Sequence, residues 1–421
     1  MKKTLIINYF CMQIGGIECY FAELMRYAVS QKYRVIWFTT KKHMEIADFK
    51  DIVNDYRIEK IFVGQGIHIF DEIDISFNKH ENIIMLSCEP MAFVIAEKLK
   101  SKFKGNSFSN FLLLPHFTGN AYYPERFFKK VLMDKLFFKI FQDMANKIVN
   151  NNALLAFSEK HLLTYEKIYK VKISEKANKV LKPIFLNKPI LSEVELEEKA
   201  KNRKKKFEII TCARFDFPHK GYIVGLIKAF NNLKKCYPQL TLTIVGYGEG
   251  ERYLKEIIDK LPKDSKDSIK LLGKLLPQEL QKAFRNSTLN IGLAGALIVG
   301  ARCALPSISV RHYTYDCECY GFYEDSLDYS LSTKPGENIE FYIRQLINCS
   351  DEEYVLHGIS AYDKANNSKN VDPEYIFKQY NISNESIFSK LDILKFKFIN
   401  FMICIMIKFF KLKSYDDANG T

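Results

Sequence analysis

Short apolar runs alternate with longer helical patterns twice along this chain, once on each side of a strongly charged segment. In the first half, strands are expected near residues 5–9, 35–39, 83–86 and 111–114, with a helix from about Glu18. This first pattern closes near 155–158. Alternation of this kind predicts a parallel sheet with crossover helices.

The second alternation begins directly after the charged segment. Its five apolar runs are separated by helix-like segments and lie at 207–213, 242–246, 269–273, 289–293 and 307–310. Five strands with intervening helices predict a second Rossmann-like domain. The fold class is therefore α/β, with two such domains.

The charged segment marks the expected domain boundary, because SEVELEEKAKNRKKK has almost no apolar content. We predict an N-terminal domain over 1–186, a solvated linker or helix over 187–206, a C-terminal domain over 207–385 and a tail over 386–421. A chain of 421 residues that is 47% hydrophobic can bury two cores, since single cores stop growing at roughly 250–300 residues.

The start of the chain and its cysteines predict a cytosolic protein. MKKTLIINYF has a short apolar run and no small-residue cleavage site, which is typical of a first strand rather than a signal peptide. The ten cysteines show no paired spacing and are expected to be reduced thiols. His312, Cys317 and Cys319 match no standard zinc spacing, so no metal is predicted.

The net charge of +13 favours a polyanionic partner: nucleic acid, an anionic membrane surface or phosphorylated substrates. No nucleic-acid-binding module is recognisable, so an anionic membrane surface and phosphorylated substrates are the favoured partners. The tail over 391–413 is apolar and aromatic with lysines at both ends, but its uncharged core, 398–407, is shorter than the roughly 20 residues needed to span a bilayer. An interfacial helix on an anionic membrane and a helix docked on the protein's own surface both remain open.

The segment CARFDFPHKG carries the strongest chemical signal. Arg214 follows a strand end, and Lys220 and Gly221 open a helix. Cations beside the positive end of a helix dipole are unfavourable unless an anion lies between them, and a phosphate is the expected anion. Side chains that merely point to water are the alternative.

Two further turns are candidates for ligand contact. Gly292, Ala294 and Gly295 lie between a strand and an apolar helix, where backbone N–H groups suit a second phosphate, although small residues also ease packing. Gly15 and Gly16 follow the first strand and leave space where a sugar could approach the backbone. GYGEGE at 246–251 lacks the G-x-G-x-x-G spacing, and a structural turn explains it about as well. MQIGGIE carries no dinucleotide fingerprint either, so an NAD-dependent oxidoreductase ranks low.

The order of these features resembles a known family. GGIE, RFDFPHKG with AF eight residues later, IVGYGEG, LLGKL and LPSISV are similar to retaining glycosyltransferases of family four, which have the GT-B fold of two Rossmann-like domains facing across a cleft. The similarity is good over about 205–310 and looser in the first domain.

The resemblance implies roles for individual residues. Arg214 and Lys220 would hold the donor diphosphate, Gly15 and Gly16 would lie beside donor and acceptor, and His116 would act near the donor sugar, although a strand-end histidine equally caps a turn. The implied activity is hexosyl transfer, with retention, from a nucleotide sugar to a glycan or lipid-linked acceptor of capsule, lipopolysaccharide or other cell-surface polysaccharide. It needs no cofactor and would take place in the cytoplasm or peripherally on the inner face of the plasma membrane.

The sequence departs from the family at one motif. The family has two glutamates eight positions apart, which contact the donor sugar and ribose, ahead of Gly-x-Pro. Counting back from Pro306, these positions hold Ile291 and Val299, and Ala304 replaces the glycine. Neither apolar side chain accepts a hydrogen bond from a hydroxyl. A catalytically impaired relative that binds a glycan or a partner transferase is therefore the second interpretation.

Overall fold

The computed structural model describes residues 2–63, 73, 75–102, 106–114, 134–174, 179–181, 191–326, 336–366, 374–378 and 385–410. The chain forms two compact units. Met1–Phe185 with Lys369–Ala418 form the first unit, and the second is built around Leu186–Ser368.

The first unit contains a seven-stranded sheet in which all paired strands are parallel, in the order β3-β2-β1-β4-β5-β6-β7. Its strands are β1 (Lys3–Asn8), β2 (Arg34–Thr39), β3 (Ile58–Phe62), β4 (Asn82–Ser87), β5 (Ser107–Leu114), β6 (Leu154–Ala156) and β7 (Lys179–Val180). The central strands are almost wholly buried, which explains their continuous apolar runs.

Helices connect these strands. They are α1 (Gly16–Ser30), α2 (Lys41–Glu45), α3 (Lys50–Asn54), α4 (Pro90–Lys102), α5 (Asp134–Asn150), α6 (Glu159–Tyr169), α15 (Glu374–Lys378) and α16 (Lys390–Phe410). Tyr20, Phe21, Leu24 and Met25 of α1 are buried, and this spacing places them on one face of the helix.

The second unit also has a seven-stranded sheet, in the order β10-β9-β8-β11-β12-β13-β14. Its strands are β8 (Phe207–Cys212), β9 (Leu240–Val245), β10 (Ile269–Gly273), β11 (Leu289–Gly292), β12 (Ser307–Val310), β13 (Glu318–Phe322) and β14 (Glu337–Asn338). The five predicted strands are parallel, and β13 and β14 add an antiparallel edge that the sequence pattern did not indicate.

The helices of the second unit lie between and after these strands. They are α7 (Glu193–Asn202), α8 (Tyr222–Lys234), α9 (Glu251–Asp259), α10 (Lys263–Asp267), α11 (Pro277–Asn286), α12 (Gly295–Arg302), α13 (Ile339–Asn348) and α14 (Asp351–Asn366).

The charged segment predicted as a linker is part of the second unit. Ser192 and Glu195 form a capping box that starts α7, and Leu196 is buried against the core. Arg203 is fully buried and donates to the Leu346 carbonyl at 3.3 Å and to Asp351. The helix alternative therefore holds over 193–202, and the assignment of 187–206 as a solvated linker is corrected: Leu196 and Ala200 face the core, whereas Glu193, Glu197 and Glu198 are exposed.

The end of the chain returns to the first unit, although we assigned 369–385 to the second domain and 386–421 to a separate tail. Helix α16 packs against α4 and α5, and Lys147 Nζ lies 2.6 Å from Asp392 Oδ2. Apolar spacing could not reveal which unit this helix covers. Among the described residues, no helix is both long and apolar enough to cross a membrane.

Candidate functional site

The strand order of the second unit brings together the two segments that were predicted to bind phosphate, at the carboxyl edge of the sheet. Strands β8 and β11 are neighbours, but β8 leads to β9 on one side and β11 leads to β12 on the other. The loops after β8 and β11 therefore diverge and leave a crevice at the carboxyl edge of the sheet. Arg214 and Lys220 lie on the first loop, and Gly292–Gly295 on the second.

Arg214 and Lys220 lie between the end of β8 and the start of α8. The Arg214 side chain is exposed, with Cζ 5.9 Å from the ring centre of Tyr247. Lys220 is half-buried, and desolvation lowers its pKa to about 8; Asp216 opposes this shift and Arg214 adds to it. The two cations thus repel each other at the positive end of a helix dipole, and an anion between them would relieve that repulsion.

A third cation near this loop, Lys274, was not predicted from the sequence. It follows β10, and its Nζ lies 4.4 Å from the ring centre of Tyr247. Tyr247 therefore makes cation–π contacts with both Arg214 and Lys274. In the sequence, Lys274 is simply a lysine that follows the strand end LLG. No local pattern indicates that it lies near Arg214.

The GYGEG turn holds the Arg214 loop in place. Gly246 has φ +154°, and a Cβ there would lie 1.8 Å from the Ala213 carbonyl oxygen. The Phe215 N–H donates to the Tyr247 carbonyl at 2.8 Å, and the Gly250 N–H donates to the Phe215 carbonyl at 3.0 Å. These glycines permit close packing of two loops, so the structural interpretation accounts for them.

The start of α12 is open. Its N-cap, Ala294, has φ +51° and no side-chain capping bond, and a Cβ on Gly295 would meet nothing within 4 Å. The first amides of a helix have no intrahelical acceptor. Free space in front of such amides suits a phosphate. Further along the helix, the backbone of Gly300 packs closely against the side chain of Asn290. The Asn290 Nδ2 donates to the Leu297 carbonyl at 3.3 Å, and this bond holds α12 against β11.

The two positions where the family has glutamates belong to the hydrophobic core. Ile291 is completely buried in β11, and Val299 is partly buried on α12. Two acidic side chains further along the chain are engaged elsewhere. Glu318 Oε2 lies 2.6 Å from Arg311 Nη1, and Glu324 Oε1 lies 2.6 Å from His357 Nδ1. Both carboxylates are therefore held in ion pairs with residues other than Arg214 and Lys220.

The first unit also has a topological switch point, that is, a place where two neighbouring strands lead to opposite sides of the sheet. It lies between β1, which leads to β2, and β4, which leads to β5. Gly15 is the extended N-cap of α1, and a Cβ on Gly16 would meet nothing within 4 Å. In the first turn, Glu18 Oε1 accepts a hydrogen bond of 2.7 Å from Tyr9 Oη. The backbone at Gly16 is therefore open at the edge where ligands approach such sheets. His116 lies outside the described residues, so its role stays a prediction.

The chain is thus an α/β protein of two Rossmann-like units, and the second unit has two cations, Arg214 and Lys220, on the loop at its switch point. Residues 193–292 match the family described as glycosyl transferases group 1, which confirms the resemblance over that segment. No curated protein matches the chain.

Solved structures share the fold over most of the chain. WaaG, a glycosyltransferase involved in lipopolysaccharide biosynthesis, is 12% identical with TM-score 0.53, over 87% of this chain and 96% of its own. A trehalose-6-phosphate protein from E. coli bound with UDP-2-fluoro glucose is 12% identical with TM-score 0.52, over 87% and 96%. A glycosyltransferase from Rickettsia africae is 14% identical with TM-score 0.50, over 96% and 98%. The GT-B fold prediction is confirmed, and fold and family match together support a glycosyltransferase.

Proposed function

We propose that this protein transfers a sugar from a nucleotide-sugar donor to a glycan or lipid-linked acceptor. The observation that carries the proposal is the proximity of Arg214 to Lys220 on the loop after β8, at the switch point to which the open start of α12 also belongs. Lys274 joins Arg214 at the ring of Tyr247 and adds a third positive charge. A nucleoside diphosphate fits this arrangement because it offers several negative oxygens and an aromatic base.

The chemistry follows from where charge develops. As the bond between the sugar's anomeric carbon and the phosphate oxygen breaks, negative charge accumulates on the departing diphosphate. Arg214, Lys220 and the amides at Gly295 would stabilise that charge, which is the largest electrostatic requirement of the reaction. The acceptor hydroxyl then forms the new bond at the anomeric carbon, and its proton passes to an oxygen of the departing diphosphate. In the retaining form of the reaction the hydroxyl attacks from the face that the diphosphate leaves.

The finer assignment extends this proposal. The donor sugar is a hexose, the configuration is retained, and the product belongs to a cell-surface polysaccharide such as capsule or lipopolysaccharide. The enzyme acts in the cytoplasm or peripherally on the inner face of the plasma membrane. The WaaG likeness supports the polysaccharide role only through a shared fold.

A thermal-shift screen of nucleotides and nucleotide sugars tests donor binding. At a free ligand concentration of about 100 times Kd, binding stabilises the folded state by about 2.7 kcal/mol. The matching nucleotide should therefore raise the unfolding temperature by several degrees. Arg214→Ala and Lys220→Ala should lose the shift. Lys228→Ala removes the same charge from an exposed position on α8 and is the matched control. Absence of any shift with the wild type would count against the proposal.

A catalytically impaired binding protein is the second candidate, favoured by the apolar surroundings of Ile291 and Val299. It predicts that a nucleotide sugar or glycan binds without turnover. Release of nucleotide from the stabilising donor, measured with and without membrane extract as acceptor, separates the two candidates. Transfer of labelled sugar to the extract would exclude the binding protein.

A further inference from the structure

Over its described side chains, 390–399 and 401, helix α16 has two apolar faces, of which one is buried and the other is exposed. Ile393, Phe396 and Ile399 are at most 8% exposed and pack with Phe93 of α4 and Met144 of α5. Their spacing of three residues places them in one stripe. This inner stripe is core, and it explains why the helix docks on the first unit.

The outer face carries a second stripe. Leu391, Leu394, Phe398 and Phe401 are 60%, 64%, 57% and 55% exposed. With 3.6 residues per turn, this outer stripe is centred about 180° from the inner one. A contiguous set of large exposed apolar side chains marks an interaction surface, unlike single exposed residues.

Charge around the outer stripe identifies its partner. Lys390 and Lys397 border the stripe on one side and Lys395 on the other, each about 60–80° from its centre. The only acidic residue in the sequence of α16, Asp392, is directed toward the protein, where it pairs with Lys147 at 2.6 Å. An apolar stripe flanked by lysines on both sides is complementary to acyl chains beneath anionic headgroups.

We propose that the outer stripe of α16 seats the protein on the surface of a membrane that contains anionic lipid, with the helix axis parallel to the surface. A second copy of the chain fits less well, because a two-fold pair of these faces would bring the flanking lysines of the two copies against each other. The observations are independent of the donor site. The inference deepens the proposed function only by naming the surface at which a lipid-linked acceptor would be met.

Removing the whole tail would not test this proposal, since it also removes the inner stripe from the core. Leu394→Gln/Phe398→Gln changes only the outer stripe. The matched control is Leu163→Gln/Leu356→Gln, which replaces side chains that are 61% and 62% exposed on other helices. Thermal unfolding and the nucleotide-induced shift of both variants should equal the wild type, which separates failure here from failure of the donor proposal.

Sedimentation with vesicles supplies the readout. The wild type should bind phosphatidylcholine vesicles that contain phosphatidylglycerol, bind pure phosphatidylcholine far more weakly, and dissociate as salt rises. The outer-stripe variant should lose at least tenfold in affinity, and the control variant should bind like the wild type. Undiminished binding by the outer-stripe variant, no binding by the wild type, or a dimer that dissociates in the variant with vesicle binding unchanged would overturn the proposal.

Discussion

Lys220 shows how a single residue acquires a property that its type does not have. A lysine in water has a pKa of 10.5, but desolvation in the loop after β8 lowers the pKa of Lys220 to about 8, and Arg214 adds to the shift. The ammonium is held in a place that disfavours its charge. A bound phosphate would restore that charge by pairing with it.

This shift gives nucleotide binding a pH dependence. Lys220 is charged below its pKa, so affinity for a nucleoside diphosphate should be full about one pH unit or more below 8 and should fall as the pH rises through about 8. Between about pH 7 and pH 9.5 we expect a loss on the order of tenfold by calorimetry. Lys220→Arg keeps its charge over this range and should show a nearly flat profile. A wild-type profile as flat as that of the variant would contradict the assignment.

The absent glutamates give a second prediction at this scale. Val299 is only partly buried, so Val299→Glu can be accommodated and should raise nucleotide affinity about tenfold if the ribose lies against α12. Val299→Leu is the control without an acceptor. Ile291→Glu places a carboxylate in the core and should lower the free energy of unfolding by several kcal/mol. If Val299→Glu folds and its nucleotide affinity is unchanged, the ribose does not lie against α12.

Among the helices and loops of the second unit, close backbone contacts occur at glycines, and the contact of α8 with the 315–317 backbone is one of them. Gly225 lies inside α8, where alanine normally favours a helix by about 1 kcal/mol. Here a Cβ would lie 2.3 Å from the Cys317 backbone nitrogen. Tertiary packing therefore reverses the sign of a local preference.

Gly225→Ala should lower the free energy of unfolding by about 1–3 kcal/mol in urea titrations, because the helix must move away from the 315–317 backbone. Gly295→Ala provides the contrast, since its Cβ meets nothing within 4 Å. It should leave stability unchanged and weaken nucleotide binding by filling the space in front of α12. Equal stability of the two variants would show that the α8 contact is not tight.

The central strands of both sheets could be predicted from periodicity, and the strands that were missed at the sheet edges share a cause. Strands β10 and β12 have the predicted bounds because each is a compact apolar run next to turn residues. Strand β3 is an edge strand with mixed sequence, IEKIF. Strand β14 has two residues and exists only through pairing with β13. Such elements depend on partners rather than on their own sequence.

At the scale of the whole molecule, the chain end completes the first unit. Phe396 on the inner stripe of α16 is 3% exposed, and Phe398 on the outer stripe is 57% exposed. Removing a buried phenylalanine costs about 3–5 kcal/mol, whereas an exposed substitution changes stability by about 0.5 kcal/mol or less. Two neighbours on one helix should therefore differ sharply.

Phe396→Ala should destabilise the first unit by that larger amount, and Phe398→Ala should leave it almost unchanged. The only tryptophan, Trp37, is fully buried in the first unit, so its fluorescence during urea unfolding reports on that unit directly. Equal destabilisation by both substitutions, or by neither, would contradict the docking of α16 on α4 and α5.

Two α/β domains and the segments containing Arg214 and Lys220 could be predicted from local sequence patterns, because apolar periodicity and helix-start chemistry are local properties. The contact of Lys274 with Tyr247, the burial of Ile291 and the packing of α16 on the first unit arise from long-range packing. Those outcomes depend on which strands become neighbours and which helix face finds a surface to cover. A single sequence does not encode such long-range contacts in any local pattern, and folding selects them by the apolar area they bury.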